Sequence, residues 1–193
     1  MMTTSWDDYA AEWESEPTAL LYADKAFESL QEIVDIQSMR VLDLGCGTGL
    51  LSQKMSPLVK DIVGLDSSEA MIEQLDNKQL NNVEPVVDCL TRGLVAMHPA
   101  FRHQFDLVVA SSVCSFLPNY SDVADIVYSL LNKGNYFIHW DWFSEHDQEG
   151  GMTPRHVLQV LSSVGFEEVE VTTPFGFETP RGKLMVLMAI ARK

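Results

Sequence analysis

The chain's 193 residues suffice for one domain with a sizeable core and are too few for two full domains. Hydrophobic residues make up 46% and charged residues 21%, which excludes a disordered or collagen-like chain. With 28 Asp and Glu against 13 Lys and Arg the formal charge is −15, a field that repels polyanions, and singly scattered lysines make no basic patch, so no nucleic-acid partner is expected.

The opening Met1-Met2-Thr3-Thr4-Ser5-Trp6-Asp7-Asp8 lacks the basic region and apolar stretch of a secretory signal. No apolar run is long enough for a bilayer, so no membrane association is expected. Residues 18–34 form a predicted amphipathic helix with Leu20, Leu21, Phe27, Leu30, Ile33 and Val34 on its apolar face. Arg40 to Leu44 is a predicted strand ending at glycines, Leu50 to Met55 a helix, and Asp61 to Leu65 a second strand. The alternation continues with a helix from Ser68 to Leu75 and a strand from Val83 to Val87. The segment 91–104 is poorly defined, and a buried strand follows from Phe105 to Ala110. Asp122 to Leu131 is a helix stopped near Gly134, and Tyr136 to Trp140 a strand. Thr153-Pro154 carries the N-cap and first-turn signature of a helix that ends at Gly165. Val169 to Thr173 and Leu184 to Ala191 leave no room for a crossover helix and should pair antiparallel.

Strands alternating with helices and closed by one hairpin imply an α/β fold with an open, mostly parallel sheet and helices on both faces. Residues 1–36 are expected to form a helical cap and residues 37–193 the body. Cys46, Cys89 and Cys114 are odd in number and widely spaced, which suggests neither a disulfide framework nor a metal site and fits a reducing cytoplasm.

In such a sheet ligands bind beyond the carboxyl ends of the strands, near the first one. There Gly45, Gly47 and Gly49 follow Asp43 in Val-Leu-Asp-Leu-Gly-Cys-Gly-Thr-Gly. Glycines at alternate positions permit positive φ and let the backbone approach a ligand. A dinucleotide fingerprint would need its third glycine at position 50, which is Leu50. The observed spacing resembles the first motif of the class I S-adenosylmethionine-dependent methyltransferases, of the small-molecule type 11/12 kind. That resemblance implies a Rossmann-like, seven-stranded sheet with a C-terminal antiparallel hairpin, and S-adenosylmethionine as the methyl donor.

The resemblance extends along the chain. Asp66, ending Ile62-Val63-Gly64-Leu65-Asp66, matches the family's ribose-binding acid, and Ser67 and Met71 match the helix start beside it. Asp88 and Cys89 match the position that flanks the adenine, and Ser111 the strand end facing the methionine moiety and the substrate. Gly45, Cys46, Gly47 and Gly49 complete the implied donor site. Many small-molecule members carry a His shortly after the fourth strand, where this chain has Cys114-Ser115-Phe116. The Asn/Asp-Pro-Pro-aromatic signature of amide methylation is absent. Trp6, Tyr9 and Trp13 resemble the aromatic segment that covers the donor in many members.

An in-line displacement on an activated methyl needs positioning and desolvation but no metal. The implied reaction is methylation of an O, N or S atom of a small molecule. A general base would help a neutral nucleophile. His139 and Asp141 are the catalytic candidates, one of them expected to face the site, with His146 behind them. Trp140, Trp142 and Phe143 are candidates for an acceptor wall, with a cationic amine as one conceivable acceptor, and residues 174–182 for an aromatic flap. Two alternatives stay open, a non-catalytic donor-binding or partner-binding protein of the same fold and a nicotinamide dehydrogenase, against which Leu50 counts.

Overall fold

A computed structural model describes residues 6–146, 150–179 and 182–193. Met1 to Ser5 of the opening segment, and Pro180 and Arg181 of the expected flap, lie outside the described residues.

The strands are β1 (Arg40–Leu44), β2 (Asp61–Asp66), β3 (Val83–Val87), β4 (Phe105–Ser111), β5 (Leu131–Trp142), β6 (Glu167–Thr179) and β7 (Gly182–Arg192). They form one sheet in the order β3-β2-β1-β4-β5-β7-β6. Neighbouring strands from β3 to β5 pair parallel, whereas β7 runs antiparallel to both β5 and β6. The strand order reverses between β1 and β4, and the crevice beyond their carboxyl ends opens there. The helices are α1 (Pro17–Ile33), α2 (Leu50–Met55), α3 (Glu69–Asn77), α4 (Arg92–Met97), α5 (Tyr120–Leu130) and α6 (Pro154–Val164).

Strand periodicity sorts the core into two layers. Leu42, Val63, Val108 and Phe137 point to one face, where α5 and α6 cover them with Ala124, Val127, Val157 and Leu161. Val41, Ile62, Val109 and Ile138 point to the other, under Ala26 and Leu30 of α1 and Leu51 and Met55 of α2. Helix starts follow from local chemistry: Ser68, Thr91 and Thr153 each accept an amide of their helix's first turn.

Three expectations shift. The buried stripe of α1 is Tyr22, Ala23, Ala26, Ser29 and Leu30, while Leu20, Leu21 and Ile33 are exposed. Alanines let the helix lie close to the sheet, and that close approach sets the face. β5 begins at Leu131, opposite Phe105, and runs through Gly134 in a left-handed conformation, with a register shift before Tyr136. The segment expected to be a flap continues β6, pairing Phe175 with Val186 and Phe177 with Leu184. Both phenylalanines are buried against Tyr22, and Trp142 packs on Phe177.

Candidate active site

A cavity of about 940 Å³ opens at the strand-order reversal. Its floor is the β1–α2 loop, where Gly45 and Gly47 both hold positive φ. A β-carbon on Gly45 would lie 2.3 Å from Val113 Cγ2, so the loop after β4 sits directly against the glycine loop. Gly49, also left-handed, caps α2 and lies under Leu75, outside the cavity lining. Its place is structural.

Asp43 and Cys46 line this floor too. Asp43 is 1% exposed and accepts the Ser52 hydroxyl at 2.6 Å through Oδ2, while its Oδ1 has no hydrogen-bond partner. Burial pushes its carboxyl up to about 6, against the Ser52 hydrogen bond and aided by the charge of Asp66. The Thr48 hydroxyl beside it is also buried and without a partner. Burial, with the charges of Asp43 and Asp66 adding to it, holds the Cys46 thiol protonated.

Asp66 ends β2 with its carboxylate turned back to the loop: Oδ2 accepts the Gly47 amide at 2.8 Å and Oδ1 the Ser68 amide at 2.9 Å. Burial raises its pKa, and the amides of Ser68, Gly47 and Ser67 partly offset that. Ser67, Met71, Asp88, Cys89 and Ser111 also line the cavity. Asp88 is tied into the same wall, its amide donating to the Asp66 carbonyl at 3.0 Å.

The N-terminal segment closes the cavity from above. Trp6 and Trp13 line it, their rings 6.1 Å apart and perpendicular, and Trp6 meets Phe116 edge-on at 5.3 Å. Asp7 accepts the Ser68 hydroxyl and the Ala70 amide at the start of α3, which holds its carboxyl below the usual range. Glu14 pairs with Lys78. The segment thus grips the glycine-loop side and the far side together.

The structure places both catalytic candidates on one face of β5, where one alone was expected to face the site. His139 and Asp141 are both fully buried and neither lines the cavity. They share one face of β5 and bond to each other, His139 Nδ1 to Asp141 Oδ2 at 2.9 Å. Tyr120 Oη lies 2.8 Å from His139 Nε2, and Asp141 Oδ1 accepts the Ser115 amide at 2.8 Å. An Nδ1–H tautomer satisfies the chain, His139 donating to Asp141 and accepting the Tyr120 hydroxyl at Nε2. Burial first, then the charge of Asp141, keeps the adjacent Cys114 thiol protonated. Thiol, imidazole and carboxylate present ligand atoms within 4.8 Å of one another, but their polar groups already satisfy each other. The network pins the turn at Cys114–Phe116, whose neighbours Ser112, Val113 and Leu117 line the cavity.

Of the expected aromatic wall only Trp142 reaches the cavity. Trp140 faces α1, its indole N–H donating to the Ser29 hydroxyl at 3.0 Å, and Phe143 packs on the core. His146 lies on an exposed bend. The sequence reading missed Tyr22, Glu16, Thr48, Val113 and Asp122, which the cavity gathers from α1, its N-cap, the glycine loop, the β4 loop and α5. The serines after β4 were the one local signal for that side.

A family model described as a methyltransferase domain matches residues 20–170. An uncharacterized methyltransferase of Schizosaccharomyces pombe is 25% identical over 175 residues, covering 79% of this chain and 62% of that one. The ubiquinone biosynthesis O-methyltransferase of Pseudomonas entomophila is 31% identical over 107 residues, 54% of this chain and 45% of that one. The chain therefore spans only about half to three-fifths of the length of these curated relatives. The fold matches a DhpI-SAM-HEP complex with a TM-score of 0.75 at 20% identity, covering 97% of this chain and 94% of that one. It matches a chain of the Haloferax volcanii complex between the Trm112 methyltransferase activator and a methyltransferase with a TM-score of 0.78 at 13% identity, covering 100% and 99%. The glycine loop, the carboxylates at the ends of β2 and β3, the seven-stranded order and the family match over 20–170 agree, and the chain belongs to the methyltransferase domain family.

Proposed function

We propose that this chain transfers the methyl group of S-adenosylmethionine to an O, N or S nucleophile of a small molecule by in-line displacement. The observation that carries the reading is the glycine loop bound back to Asp66, with Asp43 Oδ1 and the Thr48 hydroxyl left unpartnered beside the cavity. A buried polar atom without a partner is costly, and a polar donor molecule would satisfy both. The ring of carboxylates also suits a cationic sulfonium.

In this reading Asp66 accepts from the ribose hydroxyls, using lone pairs that its two amide bonds leave free. Met71, Asp88 and Cys89 flank the adenine, with Ser67 beside the ribose. Gly45, Cys46, Gly47, Asp43 and Ser111 surround the methionine part, and Gly49 holds the loop's exit into α2. The bound donor supplies an activated methyl group. Residues 1–36 act as a cap over a donor-binding body of 37–193, and the aromatic cover excludes water from the reacting atoms. His139 and Asp141 act through the Ser115 amide as positioning residues for the β4 loop.

Isothermal titration with S-adenosylhomocysteine tests the reading. Saturable one-to-one binding, lost in Asp66→Ala, is the expected result. NAD binding in its place would overturn it, and tight donor binding with no turnover across a broad acceptor panel would favour a binding protein of the same fold.

A further inference from the structure

The far half of the cavity has a chemistry of its own. Trp6 meets both Trp13 and Phe116 edge-on, and Trp142 also lines the cavity. Two exposed carboxylates, Glu16 at the start of α1 and Asp122 in the first turn of α5, stand at its rim. Among the described lining residues Arg92 is the one cation, and its guanidinium is paired with Asp125. No His or Lys lines the cavity among the described residues.

This set selects by charge. An anionic acceptor would meet carboxylates with no free cation to hold it. A hydroxyl acceptor would find only carboxylates, weak bases for its proton, and no imidazole or amine among the described lining residues. Aromatic faces and carboxylates together attract ammonium groups. An amine in its free-base form carries its own lone pair and needs no protein base.

We infer that the acceptor is a small amine bearing an apolar group, held between the Trp6, Trp13 and Phe116 cluster and the carboxylates of Glu16 and Asp122. The inference rests on the donor-binding reading above. The amine reaches the reacting position after losing its ammonium proton to water. Its nitrogen lone pair then forms the N–C bond as the donor's C–S bond breaks, with that electron pair remaining on sulfur. The positive charge passes from sulfur to nitrogen, and the aromatic and acidic walls stabilise the methylated ammonium product.

The test first titrates the wild-type chain with S-adenosylhomocysteine; failure at this step is failure of the donor reading. The loaded protein is then titrated with phenethyltrimethylammonium, phenethyl alcohol and hydrocinnamate, and phenethylamine, phenethyl alcohol and phenylacetate are compared as methyl acceptors. The cation should bind about tenfold tighter than the alcohol, hydrocinnamate should not compete, and phenethylamine should be the preferred acceptor. Glu16→Gln combined with Asp122→Asn keeps an oxygen to accept from Asn119 at the start of α5, so it should lower the melting temperature by no more than a few degrees and leave S-adenosylhomocysteine affinity unchanged while erasing the preference for the cation. Equal or tighter binding of the alcohol or the carboxylate, absence of cation binding, or turnover of an alcohol in preference to the amine would overturn the proposal.

Discussion

Gly45 and Val113 are in such close register that a single β-carbon on Gly45 would lie 2.3 Å from Val113 Cγ2, at a backbone φ of +64°. Two loops from adjacent strands, β1 and β4, are therefore fitted to each other at the cavity floor. Gly45→Ala should weaken S-adenosylhomocysteine binding at least about tenfold and lower stability by about 1–3 kcal/mol, from overpacking and left-handed strain together. Val113→Ala in the same chain should recover part of the loss, because it removes the two colliding methyls and leaves the φ strain and a 3.1 Å approach to Cβ. A calorimetric double-mutant cycle checks this, and additive losses would show that the two residues do not press on each other.

Asp66→Ala removes the acceptor of the Gly47 and Ser68 amides as well as the proposed ribose contact. Each hydrogen bond to a charged acceptor is worth about 1.5–3 kcal/mol, so the donor dissociation constant should rise by at least about tenfold. An unchanged constant in a folded variant would sink the ribose assignment.

Asp43 makes stability depend on pH. Its carboxyl ionises near 6 in the folded chain against an ordinary 3.8, so between those values the folded state holds the proton more tightly than the unfolded one. Stability contributed by this group is full below the lower value, declines as pH rises through the window, and stays reduced above 6, by about 3 kcal/mol. Asp43→Asn keeps an oxygen for the Ser52 hydroxyl and removes the buried charge. It should melt several degrees higher than wild type at pH 7.5 and no higher at pH 3.5. Equal melting temperatures at both pH values would contradict the buried-charge account.

Asp141→Ala leaves the Ser115 amide and the His139 ring without their buried acceptor, and unfolding by urea should show a loss of about 3–5 kcal/mol. Asp141→Asn should cost less, because the imidazole can move its proton to Nε2, accept the new amide N–H and donate to Tyr120. If the two variants were equally destabilised, the tautomer exchange would be refuted.

The glycine-loop side of the cavity was legible because its signals are local. Asp43, the glycines, Asp66 and Asp88 sit at strand ends that hydrophobic patterning locates, and the sheet places consecutive strand ends together. The far side comes from distant parts of the chain: Trp6 and Glu16 before or at the start of α1, Phe116 beyond β4, Asp122 in α5 and Trp142 at the end of β5. No periodicity couples such positions. His139 and Asp141 show the limit most clearly. One of them was expected to face the site, but residues two apart on a strand share a face, and the packed Tyr120, Cys114 and Ser115 put that face behind the wall. The α1 stripe was misread for a similar reason, since a close approach to the sheet favours Ala23 and Ala26 over bulkier leucines.

The end of β5 reads as two messages printed on opposite sides of one ribbon, imidazole and carboxylate toward Tyr120, two indoles toward α1. Inserting or deleting one residue between Tyr136 and His139 would exchange the messages, pressing a charge into the apolar layer and indoles onto the Ser115 amide. The strand thus has one admissible reading frame, which also fixes the alignment of β7 beside it.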